Sequence, residues 1–149
     1  MGLRQYCKPS NGFAVGSNGG RYYGVCTGAE EGAFTTAYQR GEQLFSLESD
    51  LARANAALDE ADARLADVQN RITHAELALV SPETPNPERL HILADMKAMH
   101  EEEERIKASF RPLRAEHRRA QEELADYRAY LASNGPYPGA AQGVLNANY

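Results

Sequence analysis

Two long stretches of the chain repeat apolar residues at alternating spacings of three and four. The first runs Leu44, Leu47, Leu51, Ala54, Leu58, Ala61, Leu65, Val68, Ile72, Ala75, Leu79. The second runs Ile92, Met96, Met99, Glu103, Ile106, Phe110, Leu113, His117, Ala120, Leu124, Tyr127, Leu131. Sustained 3-4 spacing puts one narrow seam on each helix, the pattern of left-handed supercoiled helices. An ordinary globular helix carries a broader apolar face.

Between the runs lies SPETPNP, residues 81–87, whose prolines cannot continue a helix. Asn86 reads as an N-cap and Pro87 as the first helical residue. Helix 1 is therefore expected over 34–80 and helix 2 over 87–132, each roughly 70 Å long at the α-helical rise. Equal lengths joined by a short loop predict an antiparallel hairpin. Folded back, facing positions sum to about 171, which sets Leu51 against Ala120, Leu58 against Leu113, Ala61 against Phe110 and Leu65 against Ile106. Leu124 continues the seam toward the base. Small residues then oppose large ones, which evens the layers. Two seam positions are polar: Glu103 would face Val68 and His117 would face Ala54. They read either as register pins, with the histidine sensitive to acid, or as side chains reaching past a thin seam to solvent. Pro112 should bend helix 2.

Phe34, Tyr38, Gly41 and Phe45 form a second stripe beside the seam, which a bare two-helix hairpin leaves uncovered. The segment 1–33 is the nearest cover, and Gly41 would allow close backbone approach. Residues 133–149 are rich in Gly, Pro, Ala and Asn and read as a disordered tail after a helix stop at Gly135. The fold class expected is all-α: a long antiparallel two-helix coiled-coil hairpin with a small Gly-rich, disulfide-stapled N-terminal segment.

Charge narrows the function classes. The net charge is −5. Residues 1–29 carry Arg4, Lys8 and Arg21 with no acid, while the first helix is strongly acidic. No basic stripe is available to neutralise phosphates, so nucleic-acid binding is disfavoured. No stretch is apolar and long enough for a transmembrane helix. MGLRQYC is not a signal peptide, and taken literally the chain is cytosolic.

The only two cysteines, Cys7 and Cys26, bracket CKPSNGFAVGSNGGRYYGVC. A phosphate-binding loop needs a strand before its glycines and Lys-Ser or Lys-Thr after them, and neither is present. A zinc site needs more ligands than two cysteines, and His74, His91, His100 and His117 lie on the helices or at their tip without converging. HEEEE at 100–104 lacks the second histidine of a zinc-protease helix, and its acids read as a solvated face with Glu-Lys and Glu-Arg pairs. A thioredoxin-like site needs a closer cysteine spacing. A structural disulfide remains, restricting the unfolded chain by roughly 3 kcal/mol in the entropy model. It implies an oxidising compartment.

The ordered set GLxxYC, Gly12, Gly16, Gly19, Tyr22, VC at 25–26, Phe34, AY at 37–38, Gly41 and LF at 44–45 resembles an uncharacterised family of small Gram-negative cell-envelope lipoproteins, a domain of unknown function. The resemblance covers about residues 2 to 48. It implies a periplasmic or outer-membrane-associated protein and structural roles for Cys7 and Cys26, and assigns no biochemical activity. The family pattern has an upstream lipoprotein signal, an acylated cysteine and an earlier motif repeat. This chain opens inside the pattern, so it is expected to be truncated or to start at an internal Met. An upstream cysteine is then an alternative partner for Cys7 or Cys26, and membrane tethering is expected only through a missing upstream lipid anchor.

These readings predict a non-enzymatic structural or protein-interaction module of the cell envelope, with no cofactor and no metal. Its partner would be another protein or a second copy. Ala52, Ala56, Ala63 and Ala66 leave a smooth back face on helix 1 that suits a four-helix homodimer. The alternative is a cytosolic coiled-coil adaptor with free thiols.

Overall fold

A computed structural model describes residues 2–140. It is helical throughout, with α1 at Leu3–Tyr6, α2 at Pro9–Ser17, α3 at Ala29–Val80 and α4 at Asn86–Asn134. No strand occurs among the described residues. The long helices pair as a hairpin, and the all-α expectation holds. The chain divides into two compact units, Met1–Arg53 with Arg118–Tyr149, and Ala54–His117.

In the unit Ala54–His117, α3 and α4 bury Ala61, Val68, Ile72, Ile106 and Phe110, with Leu58, Leu65, Met99 and Leu113 packed around them. These are the seam positions of the 3-4 repeat, and none of the seam residues in this unit is exposed. Polar pairs flank the seam. Arg71 donates to both carboxylate oxygens of Glu102 at 3.0 and 2.9 Å, and Gln69 Nε2 donates to Glu103 at 3.2 Å. Each joins positions within one or two residues of those the fold-back register brings opposite. Glu103 is only 15% exposed. The Gln69 hydrogen bond, ahead of nearby Lys107 and His100, holds its carboxyl below the usual range. His117 Nε2 lies 2.6 Å from Asn55 Oδ1. Both polar seam residues therefore bond across the hairpin at the seam's edge. Of the HEEEE acids, Glu102 pairs with Arg71, while Glu103 and Glu104 reach Lys107 at 3.7 and 3.8 Å.

The tip is closed by a side chain that the periodic pattern does not reveal. Arg89 donates from Nε to the Leu79 carbonyl at 3.2 Å and from Nη2 to the Ser81 carbonyl at 2.7 Å. Thr84 Oγ1 donates to the Ala78 carbonyl at 2.6 Å. The last carbonyls of a helix have no partner within it, and here they are satisfied across the turn. Asn86 is already helical and accepts from Arg89 Nη1 at 2.9 Å instead of capping the helix. Replacing Arg89 with alanine should cost about 2 kcal/mol, the scale of charge-assisted hydrogen bonds. Amide exchange at residues 77–82 should quicken. Unchanged exchange there would show that the guanidinium adds nothing.

In the other unit, α3 and α4 bury Ala37, Leu44, Leu47, Leu124 and Leu131 together with Phe13 from α2. Three expected boundaries shift. The first long helix begins at Ala29, not residue 34. Gly28, at φ +69°, lets the chain turn into it, and Glu30 and Glu31 suit the positive end of its dipole. The second long helix continues to Asn134, and residues 135–140 are not a disordered tail. Gly135 and Pro136 are buried and Tyr137 packs on the Leu124–Leu131 cluster. Arg40 Nη1 donates to the Gly135 carbonyl at 3.0 Å, and Tyr127 donates to the Arg40 carbonyl at 3.2 Å. The expected tail beyond residue 140 lies outside the described residues. Helix α4 runs on through Pro112, where the ring deletes one backbone donor.

Candidate functional site, a disulfide-stapled cap

Residues 2–28 fold as a cap on the first turns of α3. Cys7 ends α1, Pro9 occupies the first turn of α2 as its fixed φ favours, and an irregular strip, residues 18–28, returns to α3. Cys7 and Cys26 form a disulfide, with Cα atoms 5.6 Å apart and both residues 2% exposed. It closes over Phe34, which is fully buried. The Phe34 ring meets Tyr6 at 5.4 Å and Tyr22 at 4.7 Å between centroids, and Tyr22 meets Tyr38 at 5.9 Å. Offset and tilted aromatic pairs of this kind add specificity to plain burial.

Hydrogen bonds fix the strip to this aromatic cluster. The Cys26 N–H donates to the Tyr22 hydroxyl at 3.0 Å. Asn11 Nδ2 donates to the Tyr6 carbonyl at 2.7 Å. The Tyr38 hydroxyl stands 3.1 Å from both the Gly20 carbonyl and a Glu42 carboxylate oxygen. Burial, then the Glu42 hydrogen bond, pushes the Tyr38 phenol above its ordinary pKa, so it stays a donor.

The cap's glycines let α2 lie backbone-to-backbone on α3. A Cβ at Gly12 would sit 2.6 Å from the Phe34 carbonyl oxygen, and one at Gly16 would sit 2.8 Å from the Glu42 nitrogen. A Cβ at Gly41 would sit 2.6 Å from the Ser17 nitrogen. Neither helix can give way without moving its backbone. Gly16→Ala should therefore destabilise by about 2 kcal/mol through overpacking. Gly32→Ala is the internal contrast, since nothing lies within 4 Å there and it gains helix propensity. Urea midpoints should move in opposite directions, and a Gly16→Ala midpoint at or above the parent's would refute the close approach.

Of the docking stripe, Phe34 and Gly41 are buried and Tyr38 is half-buried. Phe45 remains 42% exposed, although Gly19, just past the end of α2 at Ser17, lies against its ring. The seam residues Leu51 and Leu124 fall in the unit that carries the cap, and Leu58, Ala61, Leu65, Ile106, Phe110 and Leu113 in the other. Phe13, which anchors α2 in the α3–α4 core, was not singled out in the sequence. No periodic signal in the glycine-rich stretch around it announced that role.

The chemistry of the cap is that of a fixed surface. Its sulfurs are tied together and its half-buried Tyr38 phenol stays a hydrogen-bond donor. Leu3, Tyr23 and Val25 stay exposed, at 63, 79 and 45%, and so do the basic Arg4, Lys8 and Arg21. In the unit Ala54–His117, an open groove beside Pro112 is floored by Ala57, Ala61 and Leu113. Its acids Glu60 and Glu102 are paired with Arg64 and Arg71 at 3.0 and 2.9 Å, and the Ser109 hydroxyl donates to the Ile106 carbonyl at 2.6 Å. Among the described residues no three His, Cys, Asp or Glu side chains gather where a metal ion would fit, and no helix is long and apolar enough to cross a membrane.

No curated protein and no solved structure matches the chain. A family model described as a protein of unknown function (DUF2799) matches residues 1–43. That span takes in the cap, its disulfide and the α3 residues from Phe34 to Gly41 on which the cap rests, so it is this part of the chain that is similar to the family.

Proposed function

We propose that this chain is a non-enzymatic structural and protein-interaction module of the bacterial cell envelope, periplasmic or associated with the outer membrane. The observation that carries this reading is the Cys7–Cys26 disulfide inside the family-like part of the chain. Structural disulfides persist in oxidising compartments. The disulfide fixes a small segment that has few apolar side chains of its own to hold it. The side chains the fixed segment exposes are apolar and basic: Leu3, Tyr23 and Val25, with Arg4, Lys8 and Arg21 and no acid. Such a surface suits contact with an acidic protein partner. The long hairpin then acts as the spacer.

The test is the intact mass of the protein from its native host, alkylated with and without prior reduction. Two thiols modified only after reduction support the envelope reading, and the same spectrum reports any lipid or additional N-terminal residues. Two thiols modified without reduction would sink it and leave the cytosolic adaptor in its place.

A further inference from the structure

The hairpin tip carries an apolar patch that none of the described residues covers. Leu77, Val80, Leu90 and Leu93 are 64, 75, 70 and 50% exposed. Each helix contributes a pair three residues apart, and such pairs share a face. The two pairs share one side of the hairpin. Gln69 on α3 and His100 on α4 both reach Glu103, from the same flank. Glu76 and Leu93 lie one heptad from Gln69 and His100 and inherit that flank. Leu77, Val80 and Leu90 lie beside them. The Arg71–Glu102 pair marks the opposite flank.

Charge on this face is divided by helix. In the unit Ala54–His117, the α3 half of the face carries Asp59, Asp62 and Glu76 and no base. The α4 half carries Lys97, Lys107, Arg111 and Arg114, against Glu101 and Glu104. Among the described residues Asp59, Asp62, Glu76, Lys97 and Arg111 form no ion pair within the chain. Between the charges stand small exposed side chains, Ala56, Ala63 and Ala66 on α3 and Ala94, Ala108 and Ala115 on α4.

We infer that this face docks a second copy of the chain, side by side and pointing the same way. A twofold axis parallel to the helices sets α3 of one copy over α4 of the other at equal height. That operation is isologous, so each contact is made twice. The fold-back register brings Leu77 level with the partner's Leu93 and Val80 level with the partner's Leu90, within about one residue. It brings Glu76 beside Lys97, and Asp59 beside Arg111, of the other copy. The acidic half of each face thus meets the basic half of the other, and like charges are kept apart. The four tip side chains expose apolar surface on the order of 400 Å² per copy, the size that marks interaction sites on soluble proteins. Two such patches with the alanine-floored face between them reach the roughly 1,200 Å² of a specific interface. The proposal goes beyond the reading as an interaction module by giving the hairpin a contact of its own, separate from that of the cap, and it is read out separately, by assembly and not by thiol state.

The test is sedimentation velocity of the oxidised full-length protein from about 1 to 500 μM, the range in which weak dimers form. A concentration-dependent monomer–dimer shift is expected. Leu90→Asp and Glu76→Lys should each weaken it by about tenfold or more, with helical content unchanged because both side chains are exposed. Adding Lys97→Glu to Glu76→Lys should restore it, which a merely sticky surface would not do. A monomer throughout, or a dimer indifferent to these changes, would overturn the proposal. So would a monomer that co-sediments with phosphatidylcholine vesicles through Leu90, which would assign the face to lipid.

Discussion

Ala61→Glu and Phe110→Glu are each expected to abolish stable pairing of α3 and α4 in the unit Ala54–His117. Ala61 is 5% exposed and Phe110 is 8% exposed, and both belong to the same buried cluster. A carboxylate placed there loses its water and gains no cation on the seam. An unpaired buried charge costs on the order of 4 kcal/mol. At Phe110 the loss of the ring adds about 3 kcal/mol more. The Arg114 guanidinium, 5.2 Å above the Phe110 ring, would face the new carboxylate and offset a small part of this cost. The contrast is Ala98→Glu, the same change at an exposed position of α4, which should leave the melting curve within about 0.5 kcal/mol of the parent's. Thermal melts followed by circular dichroism, with amide exchange read over residues 54–117, separate these outcomes. Parent-like protection around residue 61 in Ala61→Glu would mean that the seam, and the register derived from it, is wrong.

The hairpin is legible in the sequence because its rule is local and repeats. A spacing of three and four either returns an apolar side chain to one line or fails to, and from Leu44 to Leu79 and from Ile92 to Leu131 it does, except at Glu103 and His117. The structure buries, fully or in part, every residue on that line. The cap obeys no such rule. Gly12 and Gly16 are poor helix formers taken alone, and PSNGFAVGS reads as loop. They sit in α2 because α3 offers Gly41 and bare backbone at that height. That reason lies elsewhere in the chain and becomes visible only after folding. The same holds for Arg40 and Arg89. Each is a long cation whose head satisfies carbonyls on another segment, and no spacing announces it. The stretch after Asn134 has the composition of a disordered tail. Its first residues are ordered because Gly135 takes a left-handed turn that returns Tyr137 to the core. Composition reports the entropy lost on ordering, while the contact that offsets it belongs to the partner surface. The site fares likewise. The cysteines and the aromatic stripe are visible in the sequence, but the ring of contacts around Phe34 is not.

Removing the disulfide should loosen the cap and leave the unit Ala54–His117 as it is. In the oxidised chain Cys7 and Cys26 close a loop whose strip, residues 18–28, has no regular backbone pairing. Opening that loop returns entropy worth roughly 3 kcal/mol to the unfolded state. The paired change Cys7→Ala and Cys26→Ala makes this measurable without reductant. Amides of α1, α2 and the strip should exchange far faster, while protection of residues 54–117 holds. Phe34→Ala in the oxidised chain is the companion experiment. The ring is fully buried under Tyr6 and Tyr22, and deleting it should cost about 4 kcal/mol even with the disulfide intact. If the cap stays protected without the disulfide but opens without Phe34, aromatic packing holds it and the sulfurs are secondary. If the cap opens in both, the staple and the ring are each required. If the cap stays protected in both variants, the contacts around Phe34 do not hold it, and the Phe13 anchor with the glycine-mediated approach of α2 to α3 would be the fastening to examine next.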